Sequence, residues 1–490
     1  MAVTTANGVI VAVTPQADAG EGAADTDDVV NSIGGPGSIV LPALADAHDH
    51  GRGLPTIAYA AADQALESWL PALSGHPSID SGVLTSVALA KLARSGVGSV
   101  VHCHNTQSFD EQASECAASA RAARDVGVRM AMAIPLADRN RLGYGPDEVV
   151  LECIDHAHRA AVATRWASRP RSVADQMLLF EEAASAVAET ARGGEADLVN
   201  IQYCPVGPQW CSDELMEAVA EASAVSGRRV HMHLFETRYQ KEWAEAHYPG
   251  GLLHHLDAIG LLSDRLTVAH GVWLDDSELE MLAERRVIVS INTSSNLRLR
   301  SGQADVARMR RLGVRVAFGL DGMSLDDDEG ALRELQLAHL LNAPVGLESG
   351  LAAGDVLSAA TSVGPAAVSG DGQWGRITSG APADLMVIDG DPLTADFVDA
   401  AAADIDALLL TRARARNVTD LIVAGRAVVE HGKVLGVDEE ALTAEMMDRA
   451  KTARPAIELL APVVAAYQDG LRTFYLAGGH RAPACSGSRA

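Results

Sequence analysis

Between residues 38 and 320 the chain repeats one rhythm: a short apolar run, then a stretch with helical periodicity. The apolar runs fall near residues 39, 98, 129, 199, 230, 267, 288 and 316. Several are followed or preceded by clear helix signals. Ser81 to Ser95 sets Leu84, Val87, Ala88 and Leu92 on one side and stops at Ser95-Gly96. Phe109 to Val126, Asp276 to Arg285 and Gly330 to Leu341 behave alike, and Ser212 is an N-cap candidate for a helix running to Ser226. Strands separated by crossover helices pair in parallel, because a tight turn can join only antiparallel neighbours. Eight such units predict an α/β fold, a closed (β/α)8 barrel of the TIM type, with functional residues at the C-terminal strand ends. A doubly wound open sheet is the alternative, but no Gly-x-Gly-x-x-Gly or P-loop pattern supports it.

The flanks read differently. Gly8 to Val13 is a strand, and Asp18 to Asp28 a polar connection. After residue 370 the pattern turns to β, with Ala383 to Asp389 as a strand and Val418 to Gly432 as a hairpin. The N-terminal strand needs partners, and this later segment can supply them. The expected division is a small β-sandwich domain from residues 1–40 plus 371–438, a barrel from 41–370, and a C-terminal helical tail from 439–490. The tail reads as helix from Glu439 to Tyr467, with residues 478–490 mobile. Ala60 to Leu70 reads as a helix stopped by Pro71. Residues 137–195 are an excursion from the rhythm, with a helical stretch at Gln176 to Arg192.

Composition excludes some classes of function. The formal net charge is −26 and aromatics make up 4% of the chain, which disfavours phosphate backbones, base stacking and anionic membranes as partners. No apolar stretch is long enough to span a bilayer, and no signal peptide is visible. Six cysteines are scattered without a Cys-x-x-Cys pair, which fits a reducing, cytoplasmic setting. Cys103 and Cys204 sit in apolar runs and read as small core residues.

The chemistry begins at Asp46-Ala-His48-Asp-His50, where the first apolar run, Ser38 to Ala45, ends as one buried strand. Alternation sends His48 and His50 to the same face, so one rigid element offers two imidazoles to a metal. His233 and Glu236 close the fifth strand, His270 the sixth and Asp321 the eighth. Together these imidazoles and the carboxylate suit Zn2+ or Fe2+. Any one strand-end histidine is ordinarily a hydrogen-bonded core residue; all of them at one barrel end is far less ordinary. The Asp326-Asp-Asp-Glu329 run reads as a negatively charged cap on the next helix.

Several segments together resemble the amidohydrolase superfamily, in its branch of cytosine, guanine, adenosine-type and s-triazine deaminases and chlorohydrolases. The matching pieces are Leu41 to His50, His233-Leu-Phe-Glu236-Thr, Ala269-His270-Gly, Asn292 to Leu299, Gly319-Leu-Asp321-Gly and Ala383-Asp384-Leu-Met-Val, spanning residues 8 to 435. The resemblance implies a barrel with a small β-sandwich and one divalent metal per subunit, Zn2+ or Fe2+. His48, His50, His233, His270 and Asp321 would form the metal site, with Glu236 as proton shuttle and Asp321 and His270 sharing in catalysis. The strand at 198–203 contains no lysine, which speaks against a carbamylated-lysine dinuclear site. The implied reaction is hydrolytic deamination of a small nitrogen heterocycle by metal-activated water. Dechlorination, ring opening of a cyclic amide and a barrel without catalysis are the alternatives. Similar proteins are commonly homodimers.

Two departures stand out. Many members of the branch begin the segment at Asn292 with His-Asn-Pro, whereas this chain has Ile291 and Thr293. His102 and His104 end the second strand and are candidates to line the substrate pocket, as are Gln202, Trp210 and Asn296. Trp210 reads equally as packing. His231 either supports the metal site from behind or is structural.

Overall fold

The computed structural model describes residues 1–15, 33–73, 75–106, 110–167, 171–191, 198–347, 350–399 and 403–482. The connection expected at Asp18 to Asp28, Phe109, Arg192 and residues 483–490 lie outside them.

Strands β1 (Ala2–Ala6) and β2 (Val9–Thr14) form an antiparallel hairpin, and β3 (Ser38–Pro42) follows. The barrel consists of β4 (Leu44–Asp49), β5 (Val97–Cys103), β6 (Arg129–Leu136), β7 (Val199–Pro205), β8 (Val230–Leu234), β9 (Leu266–His270), β10 (Ile288–Ile291) and β11 (Arg315–Phe318), parallel and in chain order. Strand β12 (Leu385–Asp389) pairs antiparallel with β3 and with β13 (Val418–Val423), which continues to β14 (Arg426–Glu430) and β15 (Lys433–Val434). The architecture is a (β/α)8 barrel with a small β-sandwich drawn from both chain ends.

The apolar run expected as one strand is two. Ser38 to Pro42 pairs with β12 in the small domain, and from Leu44 the chain enters the barrel beside β5. The break at Ala43 follows from pairing: the Ala43 N–H donates to the Asp384 carbonyl, the Leu44 N–H to that of Gly96. The N-terminal strand also finds its partner locally, β2 on β1, and touches the later segment through Ile10, whose N–H donates to the Ala381 carbonyl (2.8 Å).

Most helices follow their periodicity. Ser81–Arg94 is capped by Asp80, and Asp213–Ser226 by Ser212, whose hydroxyl accepts the Leu215 N–H. Leu66–Leu73 starts later than expected and runs through Pro71, which lies in its final turn. Ala331–Leu341 begins at Gly330 with no side-chain cap from the acidic run. Instead Asp327 pairs with Arg298 (2.7 Å), and Glu329 is buried. The C-terminal helix is longer than expected, Glu439–Leu476, and the segment expected to be mobile begins with a docked turn, Gly479–Arg481, whose His480 is buried against Glu242 (2.9 Å). No described helix is long and apolar enough to cross a membrane.

The barrel wall seals between β11 and β4. Just past β11 the Asp321 N–H donates to the His48 carbonyl (2.8 Å), and the Leu320 N–H to Asp46 Oδ1 (3.1 Å). Gly319 permits this approach: a Cβ there would lie 2.5 Å from Asn292 Oδ1 and 2.8 Å from the His48 backbone. Inside, small residues (Ala47, Ala131, Ala133, Ala317) pack with Cys103, Cys204 and the helix Gly364–Ser369, which fills the lumen from the N-terminal side.

Candidate active site

Four imidazoles and one carboxylate converge at the C-terminal mouth of the barrel. Asp321 Oδ1 lies 3.3 Å from His48 Nε2 and 3.1 Å from His50 Nε2. His48, His270 and Asp321 form one compact donor group, and His48, His50, His233 and the Cys103 thiol another, with donor atoms within 4.8 Å of one another in each. The strand ends are bent to achieve this. His270 (φ 74°) and Asp321 (φ 61°) take the left-handed backbone conformation, which non-glycine residues rarely adopt and which costs about 1–3 kcal/mol each.

The hydrogen bonds behind the imidazoles fix their tautomers. His50 Nδ1–H donates to the Cys103 carbonyl (2.7 Å) and His233 Nδ1–H to that of Val206 (2.8 Å). His48 Nδ1 and His231 Nε2 share a hydrogen bond (2.7 Å), and the two rings are stacked, so His231 supports His48 from behind. His270 Nδ1–H donates to Asn296 Oδ1 (2.9 Å). The Nε2 lone pairs then face inward, the arrangement that presents histidine to a cation. Burial pushes His48, His231 and His233 down to about 3, so these rings are neutral at physiological pH.

The donor set fits a cation. His48 Nε2 is buried with no hydrogen-bond partner, and its lone pair faces a carboxylate. Asp321 is held well below the ordinary carboxylate range: burial raises it, but the contacts with the His48 and His50 rings lower it further. Imidazoles and a carboxylate gathered in two donor groups that share His48 match the ligand types preferred by Zn2+.

Glu236 is the second carboxyl of the site. Its Oε2 lies 3.6 Å from His270 Nε2, and Oε1 accepts the Ser301 hydroxyl (3.2 Å). Burial, with help from Asp321 and Glu67, raises it well above the usual range, so it holds a proton when Asp321 does not.

Of the five residues expected to line the pocket, the structure brings two to it. His102 and His104 face a cavity of about 820 Å³ that also includes His50, Arg52 and His233, and His104 Nε2 pairs with Glu115 (3.1 Å). Gln202 is not there. It sits mid-strand, and its amide donates to the Ala367 and Val368 carbonyls (2.9 and 3.2 Å) of the lumen-filling helix. Asn296 lies behind His270 and is used to orient it. Trp210 packs edge-on against Tyr144 (5.5 Å) beside a separate cavity of about 260 Å³. Ile291 is buried in the barrel wall.

Sequence reasoning missed Arg52 and Ser295. Arg52 Nη1 donates to the Asp321 carbonyl (2.6 Å), and the Ser295 hydroxyl donates to Asp321 Oδ2 (2.5 Å). A guanidinium two residues after His50 was the available signal for the first. Ser295 lies within a matched segment but had no assigned task. The Cys103 thiol, read as core, is buried in the lumen 3.4 Å from that of Cys204 and also borders the imidazoles.

A barrel of this topology, with imidazoles from three of its strand ends and an aspartate beyond the eighth, defines a (β/α)8 protein with a candidate metal site at its mouth. The chain belongs to the amidohydrolase family, whose model matches residues 39–428. It is 33% identical over 248 residues to the 5'-deoxyadenosine deaminase of Methanopyrus kandleri, covering 50% of this chain and 56% of that one. It is 30% identical over 307 residues to the 5-methylthioadenosine/S-adenosylhomocysteine deaminase of Bacillus cereus, covering 62% and 69%. The chain thus spans little more than half the length of the first of these relatives. Among solved structures, an adenosine deaminase from Xanthomonas campestris with bound zinc superposes with a TM-score of 0.73 at 24% identity, covering 92% of this chain and 93% of that one. The zinc-bound atrazine chlorohydrolase of Arthrobacter aurescens TC1 gives 0.72 at 23% identity, covering 91% and 94%; both likenesses concern the fold.

Proposed function

We propose that this protein is a metal-dependent hydrolase that removes an exocyclic amine from a nitrogen heterocycle of the adenine-nucleoside class. The observation that carries the reading is the placement of two carboxyls about the converging imidazoles, Asp321 against His48 and His50 (3.3 and 3.1 Å) and Glu236 against His270 (3.6 Å). The curated relatives named above as deaminases of adenine nucleosides support the substrate class. So does a cavity of about 820 Å³, roomy for a bare base.

His48, His50, His233 and Asp321 would hold one divalent ion, Zn2+ in first place, with His270 beside it. When bound, such an ion supplies Lewis acidity and lowers the pKa of water toward neutrality. Asp321, oriented by the Ser295 hydroxyl, accepts a proton from the attacking water. Glu236 gives its proton to the ring nitrogen next to the attacked carbon. His270, fixed by Asn296, faces the Glu236 carboxyl and the reacting carbon. The proton held by Asp321 then passes to the departing amine, which leaves as ammonia, and the remaining hydroxyl proton returns to Glu236 as the ring carbon becomes a carbonyl. A location in the cytoplasm is part of this reading, and the free thiols of Cys103, Cys116, Cys153, Cys204 and Cys211 support it.

Elemental analysis, with ammonia and chloride release measured on a panel of adenine nucleosides, pyrimidines, pterins and triazines, tests the proposal. One divalent ion per chain and ammonia from an adenine nucleoside are expected. Glu236→Gln should keep the ion and lose at least about a hundredfold in turnover. A protein that takes up no stoichiometric divalent ion would overturn the reading, and chloride release instead of ammonia would move it to dechlorination.

A further inference from the structure

The matched family region ends at residue 428, yet the C-terminal helix Glu439–Leu476 reaches back to the loop that carries Glu236. Three lines of contact lead there. The Glu236 N–H donates to Gln240 Oε1 (2.8 Å), Gln240 Nε2 donates to the Tyr144 hydroxyl (3.3 Å), and the Tyr144 N–H donates to the Tyr475 hydroxyl (3.1 Å). The neighbouring Thr237 hydroxyl donates to Glu67 Oε1 (2.5 Å), and the helix bearing Glu67 is held by Gln468, whose amide donates to the Ser68 carbonyl (2.8 Å). Beyond the helix, His480 and Arg481 grip Glu242 (2.9 and 2.6 Å), on the helix Arg238–His247 that starts right after Thr237. Gln240, Tyr144, Glu67 and Tyr475 are all buried.

The packing leaves little slack. A Cβ on Gly143 would lie 3.2 Å from Leu471 and 3.4 Å from the Tyr475 hydroxyl, and one on Gly145 would lie 2.9 Å from the Phe474 ring. The Tyr467 hydroxyl donates to the Leu142 carbonyl (2.7 Å) in the same loop. Each link is a buried hydrogen bond whose loss leaves a partner unsatisfied.

We infer that the C-terminal helix is a positioning element for Glu236, acting through Tyr475, Tyr144 and Gln240. The inference rests on the reading of Glu236 as the proton shuttle. Its role is to hold the Glu236 backbone so that the carboxyl stays between His270 and Ser301, within reach of a bound heterocycle. Misplacement by a fraction of an ångström weakens proton transfer without touching the metal ligands or the cavity.

Tyr475→Phe removes one hydroxyl and keeps the ring. In the full-length, metal-loaded protein it should lower kcat about three- to tenfold, the range that one lost hydrogen bond allows, while KM and metal content stay within about twofold of wild type. Tyr144→Phe should give the same split. The double variant should be little worse than either, because the links lie in series. Amide hydrogen exchange over residues 234–241 should speed up in both variants. That readout needs no substrate, so it decides the coupling even if no compound on the panel turns over, a result that would sink the activity reading separately. Wild-type exchange in this segment for Tyr475→Phe would overturn the inference. So would a lowered melting temperature with unchanged exchange and kcat, since that would make the helix merely structural. Leu459→Ala, an exposed change on the same helix, should alter none of these quantities.

Discussion

His231→Leu separates metal affinity from stability, two effects that usually move together. In the native protein His48 Nδ1 and His231 Nε2 share a hydrogen bond at 2.7 Å, and both rings are fully buried. His231 Nδ1 has no hydrogen-bond partner. Replacing the ring by an apolar side chain of similar size therefore removes one unsatisfied polar atom and creates another, at His48 Nδ1. Each such atom costs about 1–3 kcal/mol, so the two changes largely offset and the metal-free protein should melt within a few degrees of wild type. Metal binding has no such compensation. Without its acceptor the His48 ring can rotate or carry its proton on Nε2, the atom that faces Asp321. Loss of a partner behind a ligating histidine costs about ten- to a hundredfold in metal affinity. The assay is competition against a chromophoric chelator, with zinc, on the metal-free protein. Wild-type affinity with a stable fold would refute the argument that His231 orients His48. His231→Gln, which keeps an acceptor, should recover part of the lost affinity.

Further outcomes follow from the same geometry. Because Glu236 must be protonated to act and its carboxyl lies above the ordinary range, kcat should be sustained at low pH and fall as pH rises through that value; burial is the main cause, so Glu236→Gln should remove whatever activity shows this limb. The same sign holds for stability: a raised carboxyl favours the fold fully below its unfolded-state pKa, and the contribution is lost as pH rises from there up through the folded-state value. Gly319→Ala places a Cβ against Asn292 and the His48 backbone, and should destabilise by about 1–3 kcal/mol in chemical denaturation; an unchanged midpoint would show that the seam can open.

Much of the site was legible because it is written along strands. The alternation of His48 and His50, and the placement of His233, His270 and Asp321 at strand ends, depend on local periodicity and on which barrel end carries chemistry. What a side chain spends its hydrogen bonds on is a separate matter. Gln202 lies on a barrel strand, but its partner is 165 residues away at Ala367, and no local signal encodes that pairing. Asn296 was recognisable as part of a matched segment, yet its amide serves His270 rather than the pocket. The break at Ala43 was hidden because both halves of the run are apolar and extended; only the identity of the neighbouring strands divides them. Helical periodicity marked the C-terminal tail as helix, but periodicity says nothing about which loop a helix will dock on.

The seam between β11 and β4 also sets when the site can exist. Its bonds join residues about 270 positions apart: Arg52 to Asp321, Asp49 to Gly322. Contacts of such long sequence separation form late, once the intervening chain has wrapped round. The growing polypeptide therefore carries His48 and His50 exposed on an unclosed strand, a poor trap for any passing metal, until the last barrel strand arrives. Ring closure and assembly of the donor set are one event, and an ion captured then adds its binding free energy to the closed form alone. A metal bound there would latch the completed ring, so its removal should loosen the seam between β4 and β11 before it loosens any other pair of strands.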